Sequence, residues 1–261
     1  MPTFRRFTCV ERSIACFLSQ KTDIQTELII CNTDIDFPLE LDYTFTDEDR
    51  EKIKIFNSNI DLKTGNPYTS TGAIRRDGVS RAQGNLYITW DDDDIFLPWN
   101  IQQCYDGLIR TGSRAWKPQK SILWWKEDPI VDQNVLEATV LLYIEEATFD
   151  QNSGPEGLSW FNRLNNLGQL NSDPESIPAY CYYWRDPREI GGHKQGNAND
   201  ITNPNNFDIH MSKCLDHAQR PLTKKTLGDY HYILKNFELI FRTHEKQDLV
   251  SKYVDFKIFT S

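Results

Sequence analysis

The sequence lacks any long hydrophobic run. Nothing approaches the roughly 20 apolar residues that a membrane helix needs, and the mean hydropathy is -0.59, so no membrane span is expected. Also missing is a dense Lys/Arg block. Lys+Arg number 29 against 38 Asp+Glu, a net charge of -9. A groove that tracks nucleic acid needs a positive surface, so nucleic acid is excluded as the main partner. Six cysteines (Cys9, Cys16, Cys31, Cys104, Cys181, Cys214) show no CxxC pair and no compact zinc spacing. They read as reduced, buried small hydrophobes, which points to a cytoplasmic protein. The apolar stretch Ser13 to Leu18 follows Arg5-Arg6 in loose imitation of a signal peptide. It is short and sits directly behind Glu11-Arg12, so that reading is rejected. No internal repeat is visible.

What is present is enough to build a core. The 261 residues are 39% hydrophobic and 12% aromatic, which excludes a disordered chain and fits one large domain. Val10, Ile14, Phe17 and Leu18 share one face of a helix. Glu27 to Cys31 suits a strand buried on both faces, and Lys52 to Phe56 is a second strand. Ile74, Gly78 and Ala82 mark a helix whose small residues permit close packing. Leu86 to Trp90 reads as a strand running straight into Asp91-Asp92-Asp93-Asp94, and Leu97, Ile101, Cys104 and Leu108 mark a further helix. Strand and helix therefore alternate, which predicts an α/β fold with a mainly parallel sheet flanked by helices. Ligands of such sheets bind at the carboxyl ends of the strands, and the four aspartates stand at one.

The second half is less regular. Ser121 to Trp125, Thr139 to Ile144 and Tyr180 to Trp184 are expected as strands, and Gly157 to Leu167 as a helix. Residues 186–206, rich in Gly, Asn, Asp and Pro, read as a long loop. A late helix through Tyr230 to Ile240 and a last strand through Tyr253 to Phe259 complete a C-terminal elaboration. No linker divides the chain, so 1–261 reads as one domain, with 1–110 and 111–261 as its halves.

Four adjacent carboxylates repel one another and are costly to bury without a counter-charge. They emerge here between apolar segments, Leu86 to Trp90 and Ile95 to Trp99. A hard divalent cation, Mg²⁺ or Mn²⁺, would offset the repulsion and share its shell with substrate phosphates. The bland alternative is an exposed acidic turn. The calcium loop pattern with a distal glutamate is absent.

Five segments in order resemble a family 2 glycosyltransferase of GT-A type. Met1-Pro2-Thr3-Phe4-Arg5-Arg6 is similar to that family's PTYNR segment, and Glu27 to Asp34 resembles its second strand with the acidic end. Gly72-Ala73-Ile74-Arg75-Arg76-Asp77-Gly78 resembles the "aRNxG" helix, and Ala82 to Ile88 the "AxGeYI" lead-in. Asp91-Asp92-Asp93-Asp94-Ile95-Phe96-Leu97-Pro98 resembles the DxDD segment that carries the metal-binding DxD. Downstream, Gly154 to Trp160 resembles the acidic motif of the catalytic base, and Tyr183-Trp184-Arg185 with His193 resembles a late "YxWR…H" stretch.

The resemblance implies an inverting transfer of a sugar from a nucleotide-diphosphate sugar (UDP- or GDP-linked) to a glycan or other hydroxyl acceptor. It implies Mn²⁺ or Mg²⁺ on Asp91, Asp93 and His193, with Asp92 and Asp94 as the alternative register. The donor would lie against Pro2, Thr3, Phe4, Arg6, Asn32, Asp34, Arg75, Asp91 and Asp92, and Glu156 would be the general base. Three departures stand out: no apolar strand precedes Pro2, the acid after the second strand is shifted to Asp34, and Gly157 replaces a second acid beside Glu156. Two other readings compete. One is a degenerate transferase domain that only binds nucleotide or glycan. The other is a sugar-nucleotide nucleotidyltransferase, disfavoured because its Gly-rich GxGxR loop is missing.

Overall fold

The computed structural model describes residues 1–125, 129–149, 158–184 and 220–243. Among the described residues three hydrogen-bonded sheets carry the fold. In the first, β1 (Pro2–Thr3), β2 (Leu28–Asn32) and β3 (Ile53–Asn57) lie side by side, all parallel. The register sets Thr3 against Asn32 and Asn32 against Asn57, so all three strands end on one line. The two-residue β1 thus stands at the chain start, where no strand was expected, and the Met1 carbonyl before it accepts from Cys31 N–H at 2.8 Å.

Helices α1 (Phe7–Leu18) and α3 (Thr71–Arg81) lie where the periodicity placed them, except that α3 stops at Arg81 and leaves Ala82 extended. Gly78 is where α3 meets the sheet: a Cβ there would lie 3.4 Å from Cys31 Sγ. After α3 come β4 (Leu86–Ile88), the aspartates and β5 (Ile95–Phe96). Helix α4 (Asn100–Thr111) starts later than Leu97. The Leu97 N–H is instead given to the Ala179 carbonyl at 2.9 Å, which holds that residue extended.

The second sheet orders β10 (Leu170–Asp173), β6 (Ala115–Pro118), β9 (Leu141–Tyr143) and β4; the third orders β5, β11 (Tyr180–Trp184), β7 (Lys120–Trp125) and β8 (Ile130–Gln133). Both mix parallel and antiparallel pairs. The strand expected over Thr139 to Ile144 is confined to β9. A 3-10 turn precedes it at Glu137–Thr139 and another follows at Ile144–Glu146, where Arg114 holds both Glu145 and Glu146. Helix α5 (Leu158–Asn166) lies where a helix was expected.

Short α2 (Asp47–Lys52) was not visible as a helix. It has no apolar stripe, and a capping box between Thr46 and Asp49 starts it. The last described helix, α6 (His231–Thr243), closes one side of the main core: Phe241 packs edge-on to Trp99 at 5.2 Å and Phe237 to Trp124 at 5.8 Å. Cys9, Cys16, Cys31, Cys104 and Cys181 are buried free thiols, as expected; Cys214 lies outside the described residues. So do the loop expected at 186–206 and the last strand. Among the described residues no helix is long and apolar enough to cross a membrane.

Candidate functional site

The carboxyl ends of β1, β2 and β4 each release a polar turn. After β1 the chain turns through Phe4-Arg5-Arg6 before entering α1, and Arg5 takes the left-handed conformation, φ 50°. Non-glycine residues pay for that geometry, and such strain concentrates at functional sites. The turn aims its two arginines differently. Arg5 Nε donates to Asp34 at 2.5 Å, whereas an Arg6 Nη nitrogen donates to Asp92 at 3.0 Å and Asp93 at 2.7 Å.

The aspartate turn is built into the protein rather than splayed into solvent. Asp92, Asp93 and Asp94 are buried, and Asp91 keeps a side-chain exposure of 20%. Asp91 accepts from Arg75 of α3 at 2.5 Å. Arg75 therefore pairs with the cluster and not with its neighbour Asp77, which takes Leu62 N–H, the Tyr68 hydroxyl and Arg76. Asp94 has a different job. Its carboxylate accepts from the Tyr180 hydroxyl and, at 3.1 Å, from Tyr183 N–H, pinning the turn to β11. Both of its oxygens are thereby engaged in holding the turn.

Helix α1 grips the same turn through its backbone. The fully buried Arg12 donates to the Asp93 carbonyl at 2.8 Å, with its guanidinium 5.0 Å from the Tyr183 ring, and Ser13 Oγ donates to the Asp91 carbonyl at 3.2 Å. Trp90 donates to the Ser13 carbonyl at 3.3 Å and stacks on Phe96 at 3.8 Å, so the turn's two flanks are clamped together. Sequence reading missed Arg12, Ser13 and Tyr180, and placed Arg5 and Tyr183 in motifs without giving either a role. Glu11-Arg12 on the core side of an apolar helix was the available signal, because charged residues are rarely buried unless they have partners.

Burial raises the pKa of Asp92; the charge of Arg6 opposes that rise and the negative charge of Asp93 adds to it. A hydrogen bond from the buried Thr3 hydroxyl opposes the rise as well. Tyr180 is pushed well above its ordinary value, by burial first and by Asp94 next, so it stays a hydroxyl donor.

At the end of β2, Asn32 Nδ2 donates to the Asp34 and Phe37 carbonyls, both at 3.0 Å, and to Asn57 at 2.8 Å, while its Oδ1 accepts from Asp34 N–H. The Asn32 side chain thus shapes the loop that presents Asp34. Pro2 and Phe4 are half-buried beside it and Thr3 is buried. Of the expected site residues, the fold gathers Thr3, Arg6, Arg75, Asp91, Asp92 and Asp93 into one contact network, with Asn32 and Asp34 joined to it through the β1–α1 turn. Glu156 and His193 lie outside the described residues. Trp160 is core, as is most of Trp124.

The donor set at Asp91 to Asp93 is all carboxylate oxygen, which Mg²⁺ and Mn²⁺ favour. Among the described residues no cluster of three metal-ligating side chains occurs.

These features define a mixed α/β protein that gathers its charged turns at strand ends. No family model matches the sequence, nor does any curated protein. Among solved structures the chain is similar to S. aureus TarS. The 1–349 fragment in complex with UDP aligns at TM-score 0.51 and 13% identity, over 99% of this chain and 83% of that one. The same fragment in complex with UDP-GlcNAc aligns at 0.50 and 12%, over 98% and 75%. A longer TarS structure gives 0.51 and 11%, with this chain spanning 53% of its length. At such identity the likeness is one of fold.

Proposed function

We propose that the protein transfers a sugar from a nucleotide-diphosphate sugar to an acceptor hydroxyl, with inversion and with help from a divalent cation. The observation that carries the reading is the buried aspartate turn at the end of β4, gripped by Arg6 from the β1–α1 turn and by Arg75 from α3. The fold likeness to structures that hold UDP and UDP-GlcNAc supports it.

In this reading the diphosphate lies over the carboxyl ends of β1 and β4. Asp91 and Asp93 would hold Mg²⁺ or Mn²⁺, which when bound neutralises charge developing on the departing diphosphate. Arg6 and Arg75 place guanidinium groups beside the same carboxylates and supply further positive charge there. Asp92 meets the donor's ribose or sugar, and Asp34 lies at the base end. Glu156 removes the acceptor proton, which requires it to sit within hydrogen-bonding reach of that hydroxyl.

The second reading is a domain that binds nucleotide without turnover. It is favoured by the guanidinium groups that already neutralise Asp91, Asp92 and Asp93. A thermal-shift screen of UDP- and GDP-sugars with and without Mn²⁺, followed by an assay for released nucleotide, separates the two. The transferase reading expects metal-dependent stabilisation and turnover, and it expects Glu156→Gln to keep donor affinity while losing transfer. Stabilisation without any turnover would favour the binding domain.

A further inference from the structure

Two guanidinium groups close on the aspartate turn, and they are held differently. Arg75 Nη2 donates to Asp91 at 2.5 Å from a side chain that is 7% exposed, buried between α3 and the turn. Arg6 Nη1 reaches Asp92 at 3.0 Å and Asp93 at 2.7 Å from a side chain that is 29% exposed. The two aspartate side chains beneath it are 4% and 5% exposed. Arg6 is thus the solvent-facing partner of a buried acid pair. It stands between β1 and α1, outside the regular geometry of either, at φ -118° and ψ 56°. Its side chain can turn away by rotation about its own bonds, with no element of the fold displaced.

A guanidinium and a divalent cation on one carboxylate stand about 4 Å apart and repel strongly where water is excluded. Arg6 and the cation proposed above are therefore rivals for Asp93. A diphosphate alters the contest, because its oxygens accept from an arginine fork in paired, charge-assisted hydrogen bonds. From this we propose that Arg6 is an exchangeable latch. It occupies Asp92 and Asp93 until a nucleoside diphosphate arrives, then passes to the diphosphate and leaves Asp93 to the cation. Cation and diphosphate are thereby coupled through one side chain, in addition to any contact they make with each other. The ion pairs that favoured a binding-only domain are then the resting state of the turn. The inference deepens the nucleotide-sugar reading above and rests on it.

The test has two arms on the full chain. Binding of Mn²⁺ alone is read from loss of the free-ion electron paramagnetic resonance signal, and binding of UDP and GDP by calorimetry at saturating Mn²⁺. Removing a rival and removing a ligand contact have opposite signs. Arg6→Met is expected to bind Mn²⁺ alone about tenfold more tightly than wild type, within the usual range of site coupling. The same variant is expected to bind its nucleotide about tenfold more weakly, the range of one charge-assisted hydrogen bond. Asp93→Asn added to Arg6→Met should abolish the gain in Mn²⁺ affinity; a gain that survives it reflects general charge and overturns the latch. Arg6→Lys keeps a charge without the fork. It should shift both affinities in the same directions by less, and it serves if Arg6→Met does not fold. A purely structural Arg6 leaves Mn²⁺ affinity unchanged or lowered in both variants, and either result overturns the latch. Wild type that binds neither nucleotide with Mn²⁺ overturns the latch and the transferase reading together, whereas nucleotide binding without the opposed shifts sinks the latch alone.

Discussion

One Nη nitrogen of Arg6 lies 3.0 Å from Asp92 and 2.7 Å from Asp93, so a single guanidinium joins two carboxylates that would otherwise repel each other. Breaking such a contact leaves buried charge uncompensated. Arg6→Met, which keeps the stem and removes the charge, is expected to lower stability by about 1–3 kcal/mol in urea denaturation at neutral pH. Adding Asp93→Asn to it should restore part of the loss, because one of the stranded charges is gone. Independent, additive effects would show that the two residues do not interact.

Neighbouring aspartates should behave in opposite ways. Asp94→Ala strands the Tyr180 hydroxyl and the Tyr183 N–H in the core, and should cost about 2–4 kcal/mol of folding stability. Asp93→Asn keeps the shape of the side chain and should fold, yet lower metal-dependent donor affinity about tenfold or more. Thermal melts and donor titrations on the two variants would check the split. Equal loss of stability in both would deny the division between a pin and a ligand.

A pH dependence follows from Asp49. Burial pushes its pKa up, but hydrogen bonds from Lys224 and Thr46 more than offset that, and the net value falls below the usual carboxylate range. The folded state then favours the ionised form. Its contribution is present above the ordinary carboxylate value and disappears as pH falls through the lower folded value. Asp49→Asn is expected to cost about 1 kcal/mol at neutral pH by denaturant titration, with the difference from wild type closing as pH falls below the ordinary carboxylate range. A gap that persists in acid would show that charge is not involved.

Gly107 has no room for a side chain. A Cβ there would fall 2.2 Å from a ring atom of Trp116, and Trp116 is itself buried against α4. Gly107→Ala should lower the melting temperature, by an overpacking cost of about 1–3 kcal/mol, despite alanine's better helix propensity. A gain in stability would mean that the α4–β6 contact is looser than described.

Much of the first half was legible because periodicity and burial agree there. Val10, Ile14 and Phe17 all face the core, and Leu28 and Ile30 do so in β2. Elements whose stability comes from elsewhere were not legible. Helix α2 depends on a capping box, and β6 and β10 are short strands held by their neighbours. Within the site, the aspartates could be read because four like charges between apolar segments demand explanation. Arg75 was read as a site residue from the motif it stands in, and only the packing of α3 on the sheet decides that it reaches Asp91.

Local sequence determined the alternation of strands and helices and the position of the acidic turn, because both follow from patterns a few residues long. Tertiary structure decided which charge answers which. Arg6 meets Asp92 and Asp93 across more than eighty residues of chain, and Tyr180 meets Asp94 across a similar span. Such pairings depend on which strand ends lie together, and the order of strands in a sheet is set by the packing of the whole chain rather than by any one stretch of it.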